Sequence, residues 1–132
     1  MNKLLKIFLI ILAVIILLVS IFAVVFNHSE KNLENLGDIP IEDIDLSQVS
    51  DGIYEGNYKV FPISVKVNVT IRDNQISSID LVKHINGQGG AAEVIPEMVV
   101  NVQSLKVDTI AGATYSSIVI LLAIENALSK AL

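Results

Sequence analysis

Asp108-Thr109-Ile110-Ala111-Gly112-Ala113-Thr114 is the stretch whose residue types and spacing can do chemistry. It reads as a strand end and a tight loop of small residues. Tyr115-Ser116-Ser117 then opens a long apolar run that reads as a helix. Gly112 and Ala113 let a ligand or another backbone approach closely. Thr114 falls where the helix should begin, beside N–H groups that lack intrahelical partners and attract anions. That is a place for a phosphate. The same residues also make a plain helix start, with the Thr114 hydroxyl as cap, and one hydroxyl can serve both ends. Asp108 either helps position a donor group or closes the strand by accepting from loop N–H groups. Ser116 and Ser117 either bond a phosphate or simply open the helix. Tyr115, beside the hydroxyl, is the candidate for contact with a ring.

Little else in the chain offers reactive groups. There is no cysteine and there are two isolated histidines, so thiol nucleophiles and Cys/His metal sites are excluded. No Gly-x-x-x-x-Gly-Lys phosphate loop occurs. His84, at a strand end, either touches a ligand or relays a proton or, as the favoured reading, is a surface polar group, and Tyr54 and Tyr58 either flank a ring or, as favoured, pack.

The elements that must position Thr114 begin after a membrane segment. Ile7 to Phe26 is a run of twenty residues without formal charge. As a helix it would span about 30 Å, the thickness of a hydrocarbon core. It is longer than a signal-peptide core and exits as Val24-Val25-Phe26-Asn27, a poor cleavage site, so residues 1–26 are expected to be a cytoplasmic stub and an uncleaved signal anchor. Lys3 and Lys6 precede the run, while Glu30, Lys31, Glu34 and Asp38 come after it. The positive-inside rule then puts the N-terminus in the cytoplasm and the remainder outside. All fourteen acids but only seven of the nine bases lie after Phe26, a local net charge of −7 (seven minus fourteen). That excludes nucleic acid as an expected partner.

Residues 27–50 are rich in Asn, Glu and Asp and are expected to form a loosely ordered tether, with one helical turn at Leu33 and Leu36 and a tuck of Ile39, Ile41 and Ile44 against the domain as the alternative. Residues 51–132 are expected to be the domain, with fold class α+β: a small antiparallel sheet packed with helices behind a transmembrane helix. Ser64 to Arg72 alternates, with Val65, Val67, Val69 and Ile71 on one face. Asp73-Asn74-Gln75 is a hairpin turn, and Ile76 to Lys83 returns with Ile79 and Leu81 inward. Tyr54 to His84 is thus a three-stranded meander. His84 to Gly90 is a glycine-rich loop that wraps something or merely turns. Ala91 to Ser104 is helical and restarts at Pro96, burying Val94, Ile95, Met98, Val99 and Val102. Ser116 to Leu132 is a helix apolar on most faces until Glu125-Asn126, expected to lie across the sheet.

Residues 51–132 resemble the FMN-binding domain family. Asp51-Gly52-x-Tyr54-x-Gly56 is similar to its opening pattern, and Gln103-Ser104 before Val107-Asp108 to its run into the flavin motif. Asp108 to Thr114 resembles the flavinylation motif, an Asp, two residues, then Ser/Thr-Gly-Ala-Thr/Ser. Ser116-Ser117 resembles its second hydroxyl pair, and Glu125-Asn126-Ala127-Leu128 its closing helix. Ala111 stands where the family usually has Ser or Thr, and Ile85-Asn86-Gly87-Gln88-Gly89-Gly90 replaces a Glu-Thr-Pro-Gly-like loop. The resemblance implies FMN as cofactor, joined to Thr114 by a phosphoester, with Asp108, Gly112, Ala113, Tyr115, Ser116 and Ser117 around it. It further implies an electron carrier rather than a stand-alone enzyme, a flavin transferase as modifying partner, and redox partners it does not name. A module holding FMN noncovalently or not at all, or a subunit of a larger membrane redox complex, remain open alternatives.

Overall fold

The computed structural model describes residues 1–85 and 89–132. It divides into two units, Met1–Asn32 and Leu33–Leu132. The first belongs to helix α1 (Lys3–Glu34), which has no buried residues. By length and composition this helix can cross a membrane, which is compatible with a single-pass anchor or a signal sequence.

The second unit is α+β, as expected. Strands β1 (Gly52–Val60), β2 (Ile63–Arg72) and β3 (Gln75–Ile85) form an antiparallel sheet in sequence order. Two helices come next, α2 (Ile95–Val102) and α3 (Thr114–Ser129), with a 3₁₀ turn at Gly90–Val94. Strand β2 alternates as the sequence demands, with Val65, Val67, Val69 and Ile71 buried on one face. The β2–β3 turn uses Asp73 and Asn74, both with positive φ (52° and 58°), the geometry that matches the twist of a hairpin. The expected contribution of Asn86, Gly87 and Gln88 to a wrapping loop lies outside the described residues.

Helix α3 lies across β1 and β2, while α2 packs on β3. Gly56 in β1 makes the close approach of α3 possible. A Cβ there would sit 2.0 Å from the carbonyl oxygen of Ala123. Helix α3 is apolar almost all round because it is covered almost all round. From Ser116 to Ile124 every residue is buried. Part of that cover is the 3₁₀ turn Asn35–Asp38, which packs on α3.

Residues 33–50, expected to trail as a tether, are therefore folded into the second unit. Leu36 and Val49 are each 1% exposed. The Asn74 amide donates to the carbonyls of Leu46 and Ser47, both at 3.2 Å. Asp43 accepts from the Ser104 hydroxyl at 2.5 Å and from Leu105 N–H at 3.0 Å. The reason is the second face of α3: left bare, it would expose a row of aliphatic side chains. The Asn35–Asp38 turn supplies that cover, and Ile39, Ile41 and Ile44 pack against the core without any period a helix or strand would show.

Burial pulls the Asp43 carboxyl up, but the hydrogen bonds from Ser104, Leu105 and Ile44 and the charge of Lys106 outweigh it, so its pKa is lowered. A carboxyl lowered on folding stabilises above its unfolded pKa, near 3.9, and that contribution is lost as pH falls through the folded value. Asp43→Asn is expected to cost about 1 kcal/mol at neutral pH, read by urea unfolding, because the site is largely exposed. In strong acid the two proteins should unfold alike. An equal deficit at both pH values would remove the charge from the explanation.

Two expectations change. Helix α2 buries Ile95, Pro96 and Val99 and half-buries Met98, but Val94 and Val102 are 48% and 58% exposed. The helix ends at Val102, two residues before the expected Ser104, where Gln103 turns left-handed (φ 57°). The side chain of Gln103 then accepts from Ile76 N–H at 2.7 Å and donates to Ile76 C=O at 2.9 Å, standing in for a strand partner of β3.

Candidate functional site

Lys106 to Ile110 is not a strand, although the sequence reads as a strand end; it is coil joining α2 to α3. Side chains rather than a ladder anchor it. Leu105 is buried, and Ile110 N–H donates to Ser117 Oγ at 3.0 Å. The loop closes as a turn, Ala113 N–H bonding to Ile110 C=O at 2.9 Å. Gly112 occupies the third position with φ 79°, which an L side chain rarely adopts. A Cβ there would meet nothing within 4 Å, so the need is for backbone conformation rather than close approach.

Thr114 is the first residue of α3 and is exposed. The cap position belongs to Ala113, and no side chain caps the helix. Thr114 therefore does not fill the cap role the sequence allowed it. No acidic residue lies in the first turn. The end of α3 thus presents N–H donors, a favourable dipole, no repelling carboxylate and an exposed hydroxyl.

The structure separates the remaining candidates. Tyr115 is 40% exposed and Asp108 is exposed. No hydrogen bond or ion pair engages the Asp108 carboxylate among the described residues. Ser116 and Ser117 point inward, 2% and 0% exposed. Ser117 accepts from Ile110 and donates to Ala113 C=O at 2.8 Å, so it holds the loop to the helix. Ser116 meets His84, Nε2 to Oγ 3.1 Å, and His84 Nδ1 lies 3.0 Å from Glu93 Oε1.

His84 is thus a correction. Its side chain is 2% exposed rather than on the surface. The second of two bulges explains this. The β2–β3 register shifts between Thr70 and Ile71 and again between Lys66 and Val67. After the second, His84 rather than Lys83 pairs opposite buried Val65 and faces inward. Glu93 carried no signal in the sequence, since its partner is nine residues away across a loop. Tyr54 and Tyr58 pack against the core, as expected.

A three-stranded antiparallel sheet carries a buried closing helix, whose uncapped end presents a small-residue loop and a hydroxyl. Residues 62–129 match the model of the FMN-binding domain, just over half of the chain, and the chain belongs to that family. No curated protein and no solved structure matches the chain. The protein is a flavin-binding one, with FMN as its cofactor. The end of α3 fits that group. Its donors are open, its first turn is free of acids, and the Gly112 turn leaves clear space beside them.

Proposed function

We propose that this protein is a membrane-anchored, extracytoplasmic electron carrier with FMN joined covalently to Thr114. The observation that carries the proposal is the uncapped, acid-free start of α3, with an exposed Thr114, inside an FMN-binding domain. The N–H groups of the first turn and the Gly112 turn would hold the phosphate. Tyr115, exposed beside Thr114, would meet the ring. When bound, FMN supplies the redox chemistry, and the protein supplies attachment and surroundings.

Attachment requires a flavin donor in which FMN phosphate sits in a diphosphate linkage, and a transferase. Thr114 Oγ bonds to the flavin-side phosphorus and the diphosphate P–O bond breaks. The nucleoside monophosphate leaves, and the threonine proton passes to a base of the transferase. Ester linkage at the phosphate leaves the ring system unmodified. The charge asymmetry around Ile7–Phe26 supports an outward-facing domain, where a lost cofactor is not recovered. Residues 51–132 would then be the flavin domain proper, served by redox partners in the same compartment.

Ala111 favours a second reading, a module of the same fold that holds FMN noncovalently or only docks a partner, because one loop hydroxyl is missing there. In-gel fluorescence of the denatured full chain, made together with a flavin transferase, separates the two. A fluorescent band with the mass of one added FMN is expected. A dark band with unmodified mass would reject covalent attachment.

A further inference from the structure

Three segments meet at one buried imidazole. His84 stands near the end of β3, Glu93 on the 3₁₀ turn Gly90–Val94, and Ser116 in the first turn of α3. The side chain of His84 and the residue Ser116 are each 2% exposed, whereas the Glu93 side chain is 53% exposed. Directions in this chain of bonds come from chemistry. An ionised carboxylate only accepts, so Nδ1 carries the proton and donates to Glu93 across 3.0 Å. In the neutral ring Nε2 is then an acceptor, and the Ser116 hydroxyl donates to it across 3.1 Å.

We propose that His84 is a positioning residue for the reaction at Thr114. Through Glu93 and Ser116 it fixes where the first turn of α3 stands relative to β3 and the 3₁₀ turn. It thereby fixes where the Thr114 hydroxyl and the open N–H groups face. The inference rests on the reading of Thr114 as acceptor. An aliphatic residue opposite Val65 would fill an inward position without the cost of burying an imidazole and a hydroxyl. Apolar contacts tolerate sliding, whereas two directional bonds at opposite ends of a ring hold one geometry. Ser116 is two residues from Thr114 in the same helical turn, so a shift of one is a shift of the other. Ser117 fixes the loop to the helix; the His84 chain fixes the helix to the sheet.

The experiment uses the full chain in detergent, a flavin transferase with its dinucleotide donor, and the variants Glu93→Ala, Glu93→Gln, Ser116→Ala and the double Glu93→Ala/Ser116→Ala. Glu93→Ala and Ser116→Ala are each expected to lower kcat for modification about tenfold, with KM for the protein little changed. Glu93→Gln keeps an acceptor for Nδ1–H and should stay near the wild-type rate. The double variant should be no slower than the slower single one, because both act through one ring. Long-range ¹H–¹⁵N spectra of the unmodified protein should show the Nδ1–H tautomer of His84, retained in Glu93→Gln and lost in Glu93→Ala. Wild-type rates in both single variants, multiplied effects in the double, or an Nε2–H tautomer in the wild type would overturn the proposal. A wild type that takes no flavin at Thr114 defeats the acceptor reading, and this inference with it; the rate comparison defeats the inference alone.

Discussion

Thr114→Ala should abolish covalent flavin fluorescence and leave the domain folded. The two halves of this result have separate causes. The exposed hydroxyl is the only oxygen the side chain offers for a phosphoester, so its loss removes the bond rather than slowing its formation. Stability should change by no more than about 0.5 kcal/mol, because the hydroxyl caps nothing and alanine is the better helix former. A cap residue would have cost about 0.5–2 kcal/mol, so a thermal melt distinguishes the observed geometry from the cap expectation. Intact mass and in-gel fluorescence read the modification. Retained FMN in Thr114→Ala, with loss in Ser116→Ala or Ser117→Ala, would move the acceptor to a buried serine and reject the site as described.

Gly56→Ala should be strongly destabilising. In an extended strand alanine normally beats glycine, by up to about 1 kcal/mol. Here the added Cβ would meet the Ala123 carbonyl oxygen at 2.0 Å, the Ala127 nitrogen at 2.6 Å and the Ala127 Cβ at 2.7 Å. All three belong to the body of α3, so no side chain can swing away. Helix and sheet must separate, and overpacking of that kind costs about 3 kcal/mol or more. For a domain of this size the melting temperature should fall by roughly 12–24 °C. The first turn of α3 would move with the helix, so flavin attachment should also decline. An unchanged melt would mean that α3 does not lie this close to β1.

What the sequence displayed was whatever repeats or terminates locally. The alternation of β2, the Asp73-Asn74 turn, the restart at Pro96 and the small-residue loop before α3 each announce themselves within a few residues. The inward turn of His84 did not, because it depends on a bulge that no local pattern marks. Continuing the alternation through Leu81 puts Lys83 inward and His84 outward, and the bulge opposite Lys66 and Val67 reverses that phase. Glu93 was invisible for a related reason: its role exists only once β3 and α3 stand beside it. The cover on α3 was hinted at by a helix with no polar face, which needs apolar neighbours on more than one side. Leu36, on the 3₁₀ turn that packs on α3, meets that need from a segment whose acidic composition looks like a linker. At the candidate site, Thr114 and Gly112 were legible as a loop and helix start, while the inward turn of Ser116 and Ser117 required the packing of α3.

The packing of residues 33–50 also governs how the domain could be shed. A protease acting on a true linker releases the downstream domain intact. A cut between Asp38 and Asp45 instead severs a packed strap, since Leu36 lies on one side of it and Val49 on the other. A product starting at Asp51 would leave behind the 3₁₀ turn that covers α3 and the Asp43 link to Ser104 and Leu105. The bared aliphatic face would favour aggregation over a soluble flavodomain. Clean release therefore requires cleavage ahead of Leu33, even though the recognisable family pattern starts well downstream. Acidic, proline-containing composition advertises a cleavable stalk here, whereas the fold makes that stretch part of the cargo.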